Sequence, residues 1–138
     1  RLVIEGHTMV RRIVQTENAP APVGPYNQAV VASGEMVFAS GQVALDPDGT
    51  LVGTGDVAAQ TKQCLDNLSA VLKAAGATLA NVVKTSVILK DMSDLGTMNG
   101  GYATYYDEAT APASACVEVA RLPKDVLVEI ECIAVIEN

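Results

Sequence analysis

Histidine is almost missing from this chain: of 138 residues only one, His7, is a histidine. Residues Arg1 to Thr8 precede Met9 and are read as an expression leader outside the domain, which is expected to span 9–138 as a single unit. Within 9–138 there is then no imidazole at all, which excludes Ser-His-Asp and Cys-His catalysis and any His-ligated metal site. If the leader is native, His7 still sits in a terminal tail, a poor place for a catalytic base. Cysteine is sparse too. Cys64, Cys116 and Cys132 show no C-x-x-C spacing and no even pairing, so they are expected to be reduced thiols of a cytoplasmic protein without a signal peptide. Long apolar runs are absent although 49% of residues are hydrophobic, which excludes a spanning helix of about 18 residues. Positive charge is scarce: 9 Lys and Arg stand against 16 Asp and Glu, a formal net charge of −7. Such a surface repels phosphate, so neither nucleic acid nor anionic membrane is an expected partner.

What is present is a pattern of short strands and two helices. A strand is predicted at Arg12–Gln15, followed by an Ala- and Pro-rich loop to Pro25, with the Arg11-Arg12 pair read as a solvated end. Asn27–Ala32 and Met36–Ser40 read as two strands of a hairpin turning at Ser33-Gly34. Asp-Pro and Asp-Gly turn chemistry fills Leu45–Gly55. Asp56 is the predicted N-cap of a helix whose apolar positions Val57, Cys64, Leu68, Val71, Leu72 and Ala75 recur at helical spacing, with Gly76 at its C-terminus. Val82–Lys90 alternates as a β-branched strand. Ser93 or Asp94 is the expected cap of a second helix carrying Leu95, Met98, Tyr102 and Tyr105 on one face. Its Gly96, Gly100 and Gly101 each weaken it by about 1 kcal/mol relative to Ala, so it must lean on tertiary contacts. Ala115–Ala120 and Val126–Ile136 close the chain as strands around Leu122–Asp125. About six strands with two helices on one face make an α+β fold.

The last strand also bears on assembly. Val128, Ile130, Cys132, Ala134 and Ile136 form one apolar face suited to the helices. Leu127, Glu129, Glu131, Ile133 and Val135 share the other face, which two helices on one side cannot cover. Leaving such aliphatics in water costs roughly 25 cal/mol per Å², so burial against another subunit is expected. Glu129 and Glu131 would then lie in or beside that interface. The pattern does not choose between dimer and trimer.

Four segments carry a family resemblance: Gly24-Pro25-Tyr26-Asn27-Gln28-Ala29, Ala39-Ser40-Gly41-Gln42, Val83-Lys84-Thr85, and the run Cys116 to Lys124 continuing into Val128–Glu131. Over about Ile13 to Val135 the chain resembles the RidA (YjgF/YER057c/endoribonuclease L-PSP) family. The resemblance implies a chorismate-mutase-like fold in which three subunits join their sheets into a barrel, with sites in the clefts between subunits. It implies hydrolysis of short-lived 2-imino or enamine acids to 2-keto acids and ammonia, with no cofactor and no metal. By position, Tyr26 would line the pocket, Ser40 or Gly41 would form its base, and Asn99 would approach from the second helix. Glu129 and Cys116 would be the catalytic positions, Glu129 holding the attacking water and Cys116 offering backbone groups. The implied ligands are small 2-imino or 2-keto acids.

One position departs from the resemblance. Deaminating members of the family read Pro-Ala-Arg-Ser-Cys where this chain reads Pro112-Ala113-Ser114-Ala115-Cys116. Their arginine binds the substrate carboxylate through a two-donor fork, whereas Ser114 offers one neutral hydroxyl. The expected consequence is weak deamination, or else a non-catalytic trimer whose clefts hold small metabolites. Ribonuclease or translation inhibition, a label attached to the family, ranks below both in an acidic chain.

Overall fold

The computed structural model describes residues 2–4, 7–9 and 11–137, with side chains described from Arg11 onward. Strands β1 (Leu2–Ile4) and β2 (His7–Met9) pair with each other antiparallel. From Arg11 the chain builds β3 (Arg11–Val14), β4 (Ala29–Ala32), β5 (Glu35–Gln42), α1 (Val57–Ala74), β6 (Val82–Leu89), α2 (Leu95–Tyr102), β7 (Ala113–Glu118) and β8 (Val128–Ile136). The main sheet has the order β5-β8-β6-β7, antiparallel except for the parallel pair β6 and β7. With both helices packed beside it, the fold is α+β.

Two expectations about the strands are corrected. The six strands from Arg11 onward do not form one sheet: β3 and β4 pair only with each other, and the bridge from Asn27 to Ala113 ties this ribbon to the main sheet. Nor do β4 and β5 form a hairpin at Ser33-Gly34. Residues Ala29–Ala32 pair with Arg11–Val14, and Glu35–Ala39 pair with Cys132–Ile136. Gly34, at φ +144°, lets the chain leave one sheet for the other, and a Cβ there would run into the carbonyl oxygen of Ile136. Arg11 is not a solvated end either. Its Nη2 donates to the carbonyls of Val82 at 3.0 Å and Thr110 at 2.7 Å, fastening the ribbon to the start of β6.

Helix α1 forms as its punctuation predicts. The Asp56 carboxylate accepts from the Ala59 amide, and Gly76, at φ +84°, ends the helix in a Schellman motif closed by bonds from Gly76 N to Lys73 O and Ala77 N to Leu72 O. Its Cys64, Leu65, Leu68 and Leu72 are fully buried with Val128, Ile130 and Ala134 of β8, as the alternation of the last strand requires. Helix α2 is short; Asp94 takes its N-cap position, as expected, but the Asp94 side chain makes no capping bond. The side chain of Asp91 accepts from the Ser93 amide and caps the 3-10 turn Met92–Asp94 that leads into it. Met98 and Tyr102 hold α2 against the core, which compensates for its glycines.

The other face of the sheet is only partly covered. Val135 is buried and Leu127 half-buried within the chain itself, where cover by another subunit was expected, and Ile133 is half-buried. On this face the exposed large apolar side chains lie on the edge strands, Met36 and Phe38 on β5 and Val117 on β7; Val23, Val31, Val71 and Met92 are exposed elsewhere.

Candidate functional site

A cleft of about 210 Å³ opens between α2 and β7. The Gly24–Ala29 segment shapes its mouth. Asn27 is buried, and its amide nitrogen donates to the carbonyls of Ala111 at 2.7 Å and Glu108 at 2.9 Å. Gln28 Nε2 donates to Pro20 O at 2.7 Å while its Oε1 accepts from Thr16 N at 2.7 Å. With the residues on its C-terminal side so fixed, Tyr26 is held over the cleft. Gly24 lies beneath it, since a Cβ there would sit 2.7 Å from the Tyr26 ring and 3.3 Å from Asn99 Nδ2.

Four of the predicted site residues meet here: Tyr26, Asn99, Ser114 and Cys116 all line the cleft. Strand β7 sends Ser114 and Cys116 to the helix side because alternate residues share a face. Burial raises the Cys116 thiol above its ordinary value, keeping it protonated at neutral pH, so its contribution is not that of a thiolate nucleophile. The remaining predicted residues lie elsewhere. Glu129 is half-buried on the opposite face of the sheet, across from Ile88 on β6. Gly41 faces it so closely that a Cβ would lie 2.5 Å from Glu129 Oε2, and the irregularity between Ala39 and Gln42 in β5 gives this contact its room. Ser40 is exposed beside Gly41. Within one chain the carboxylate and the cleft are therefore separate.

The floor of the cleft carries an arrangement that periodicity did not single out. Thr85 is buried, and its hydroxyl donates to Ser114 Oγ at 2.7 Å while lying 2.8 Å from the Tyr102 hydroxyl. The parallel register sets Thr85 beside Ser114, and α2 lowers Tyr102 onto both. Burial pushes the Tyr102 hydroxyl up to about 12, so it stays a neutral donor. Thr85 belongs to the Val83-Lys84-Thr85 segment of the resemblance, but an alternating strand marks it only as inward-facing. Val87, Leu95 and Met98 supply the apolar wall, and none of the ten lining residues is charged. Among the described residues no group of three or more His, Cys, Asp or Glu could hold a metal ion.

The endoribonuclease L-PSP family model matches residues 16–136. The chain belongs to that family, the RidA family of the sequence resemblance. A RutC family protein of Synechocystis is 60% identical over 129 residues, covering 93% of this chain and 98% of that protein. The 2-iminobutanoate/2-iminopropanoate deaminase of Escherichia coli is 50% identical over 126 residues, covering 90% of this chain and 97% of that enzyme. A Rid-family protein of unknown function from Yersinia pestis superposes with a TM-score of 0.81 at 35% identity, over 93% of this chain and all of that one.

Proposed function

We propose that this protein is a hydrolytic imine and enamine deaminase whose sites are completed between copies of a homotrimer. The cleft of one copy, with Tyr26, Asn99, Ser114 and Cys116, would receive Glu129 and Gly41 of a neighbour. The observation that carries this reading is the separation of the two groups on opposite faces of one sheet, with exposed Met36, Phe38 and Val117 on its edge strands. A face of that kind asks for a protein partner, and relatives with the same fold at 50% identity are named imine deaminases.

The chemistry needs little beyond placement. An imine carbon is already electrophilic. Glu129 takes a proton from a bound water as its oxygen bonds to that carbon, and the imine nitrogen gains a proton. The carbinolamine then breaks its C–N bond, releasing ammonia and leaving the carbonyl product, so one imine and one water give one keto compound and one ammonia. No residue on the cleft wall offers a cation to a carboxylate, so turnover of 2-imino acids is weak. The same neutrality supports the second reading, a trimer that binds small metabolites without turning them over.

The test generates 2-iminobutanoate in situ and follows 2-oxobutanoate and ammonia. Hydrolysis above the spontaneous rate, saturable in substrate, supports the enzyme. No acceleration at any protein concentration removes it in favour of the binding protein. Light scattering tests the assembly: about three times the 14.3 kDa chain mass is expected, and a monomer at working concentration contradicts a shared site.

A further inference from the structure

We propose that the cleft between α2 and β7 selects an uncharged small carbonyl or imine compound over its carboxylate-bearing counterpart, with Ser114 as the residue that sets this preference. The inference rests on the reading that this cleft is the ligand site, and it specifies the class of ligand.

The first observation is charge. All ten residues lining the cleft are neutral, and its wall beside the Tyr26 and Asn99 rim is aliphatic and thioether: Val87, Leu95 and Met98. A carboxylate entering such a space loses its water without gaining a cation, which is strongly unfavourable. The proposed neighbour would add Glu129, a further negative charge, and the chain as a whole carries −7. Both oppose an anion.

The second observation is the direction of the buried hydroxyl chain. A hydroxyl has one hydrogen. Thr85 donates its hydrogen to Ser114 Oγ at 2.7 Å, so at the 2.8 Å contact Tyr102 must be the donor to Thr85. The chain therefore runs Tyr102 to Thr85 to Ser114, and the Ser114 hydroxyl, itself within hydrogen-bonding reach of Tyr102, ends it at the cleft. Each bond polarises the next, so this last donor is stronger than an isolated serine. One neutral donor against an apolar wall matches one neutral acceptor: a carbonyl oxygen or an imine nitrogen bearing a short alkyl group. It lacks the second donor and the positive charge that a carboxylate requires.

The test compares two ligands of equal size, pyruvate and pyruvamide, by ligand-observed NMR titration of the full-length protein. In the parent, pyruvamide should bind about tenfold or more tightly than pyruvate, the factor left by an unpaired charge after partial hydration. Ser114→Ala, a change that a strand tolerates, should weaken pyruvamide about three- to tenfold and leave pyruvate unchanged. Ser114→Arg should reverse the order of the two ligands. Pyruvate binding as tightly as pyruvamide in the parent overturns the proposal, as does the absence of saturable binding by either. An unchanged pyruvamide affinity in Ser114→Ala overturns the role of the hydroxyl chain. Ammonia release is scored separately. A preference for pyruvamide without turnover of any imine removes the deaminase reading and leaves the selectivity, whereas turnover of 2-iminobutanoate with pyruvate preferred does the opposite.

Discussion

At the scale of single residues, the cleft floor centres on Ser114, whose hydroxyl lies 2.7 Å from that of Thr85 among uncharged lining residues. Tyr26, Asn99, Ser114 and Cys116 are positions that the family resemblance implies for one pocket, and they share one cleft. For Thr85 and Tyr102, strand alternation and helical spacing report burial alone. The parallel register between β6 and β7 sets the Thr85 hydroxyl against Ser114, and the packing of α2 brings the Tyr102 hydroxyl to Thr85. Ser114 is also where a substitution should say most about activity. Ser114→Arg places a guanidinium at the cleft floor, and kcat/KM for 2-iminobutanoate should rise about tenfold, corresponding to about 1.4 kcal/mol of recovered interaction. Steady-state kinetics of the parent and the variant check this. An unchanged or lower value in a folded trimer would mean either that another cation already meets the carboxylate or that the cleft is shaped for a ligand without one.

At the scale of elements, those whose partners are near in sequence were readable. Asp56 and Gly76 bracket α1 because capping depends on a few neighbouring residues, and the alternation of β8 tells which of its faces meets that helix. The partners of β4 and β5 were not readable. A turn at Ser33-Gly34 is equally compatible with a hairpin and with a passage between sheets, and the choice is made by Arg11–Val14 and Cys132–Ile136, far along the chain. The short irregularity in β5 that admits Glu129 beside Gly41 has no periodic signal either. The α1 cap lends itself to a clean test. Asp56→Ala removes the acceptor for the Ala59 amide and should cost about 1 kcal/mol in urea denaturation, with activity intact because the cap is remote from the cleft. A loss below about 0.3 kcal/mol, under the usual range for such caps, would show that water replaces the carboxylate there.

At the scale of the whole molecule, burial of thiols links stability to alkaline pH. Desolvation in the core pushes Cys64 up to about 12 and Cys132 up to about 11, against an ordinary value of 9.0. Below that ordinary value both folded and unfolded chains hold these protons, and the stabilisation is complete. As pH rises past it the unfolded chain releases protons that the folded one retains, so stability falls until the folded values are reached. Thermal melts under reducing conditions should show a midpoint that declines above about pH 9, and the decline should be shallower in Cys64→Ala. Equal slopes in the two proteins would remove Cys64 from the effect.

In the proposed homotrimer one copy's cleft works with another copy's carboxylate, and mixed assembly tests this most directly. Tyr26→Ala and Glu129→Gln should each lose most deamination when assembled alone. Unfolded together in equal amounts and refolded, they should recover about a quarter of the parental rate, because a head-to-tail interface then joins an intact cleft to an intact carboxylate at random in that fraction of contacts. Mixed assemblies no more active than either variant alone would contradict a site shared between subunits.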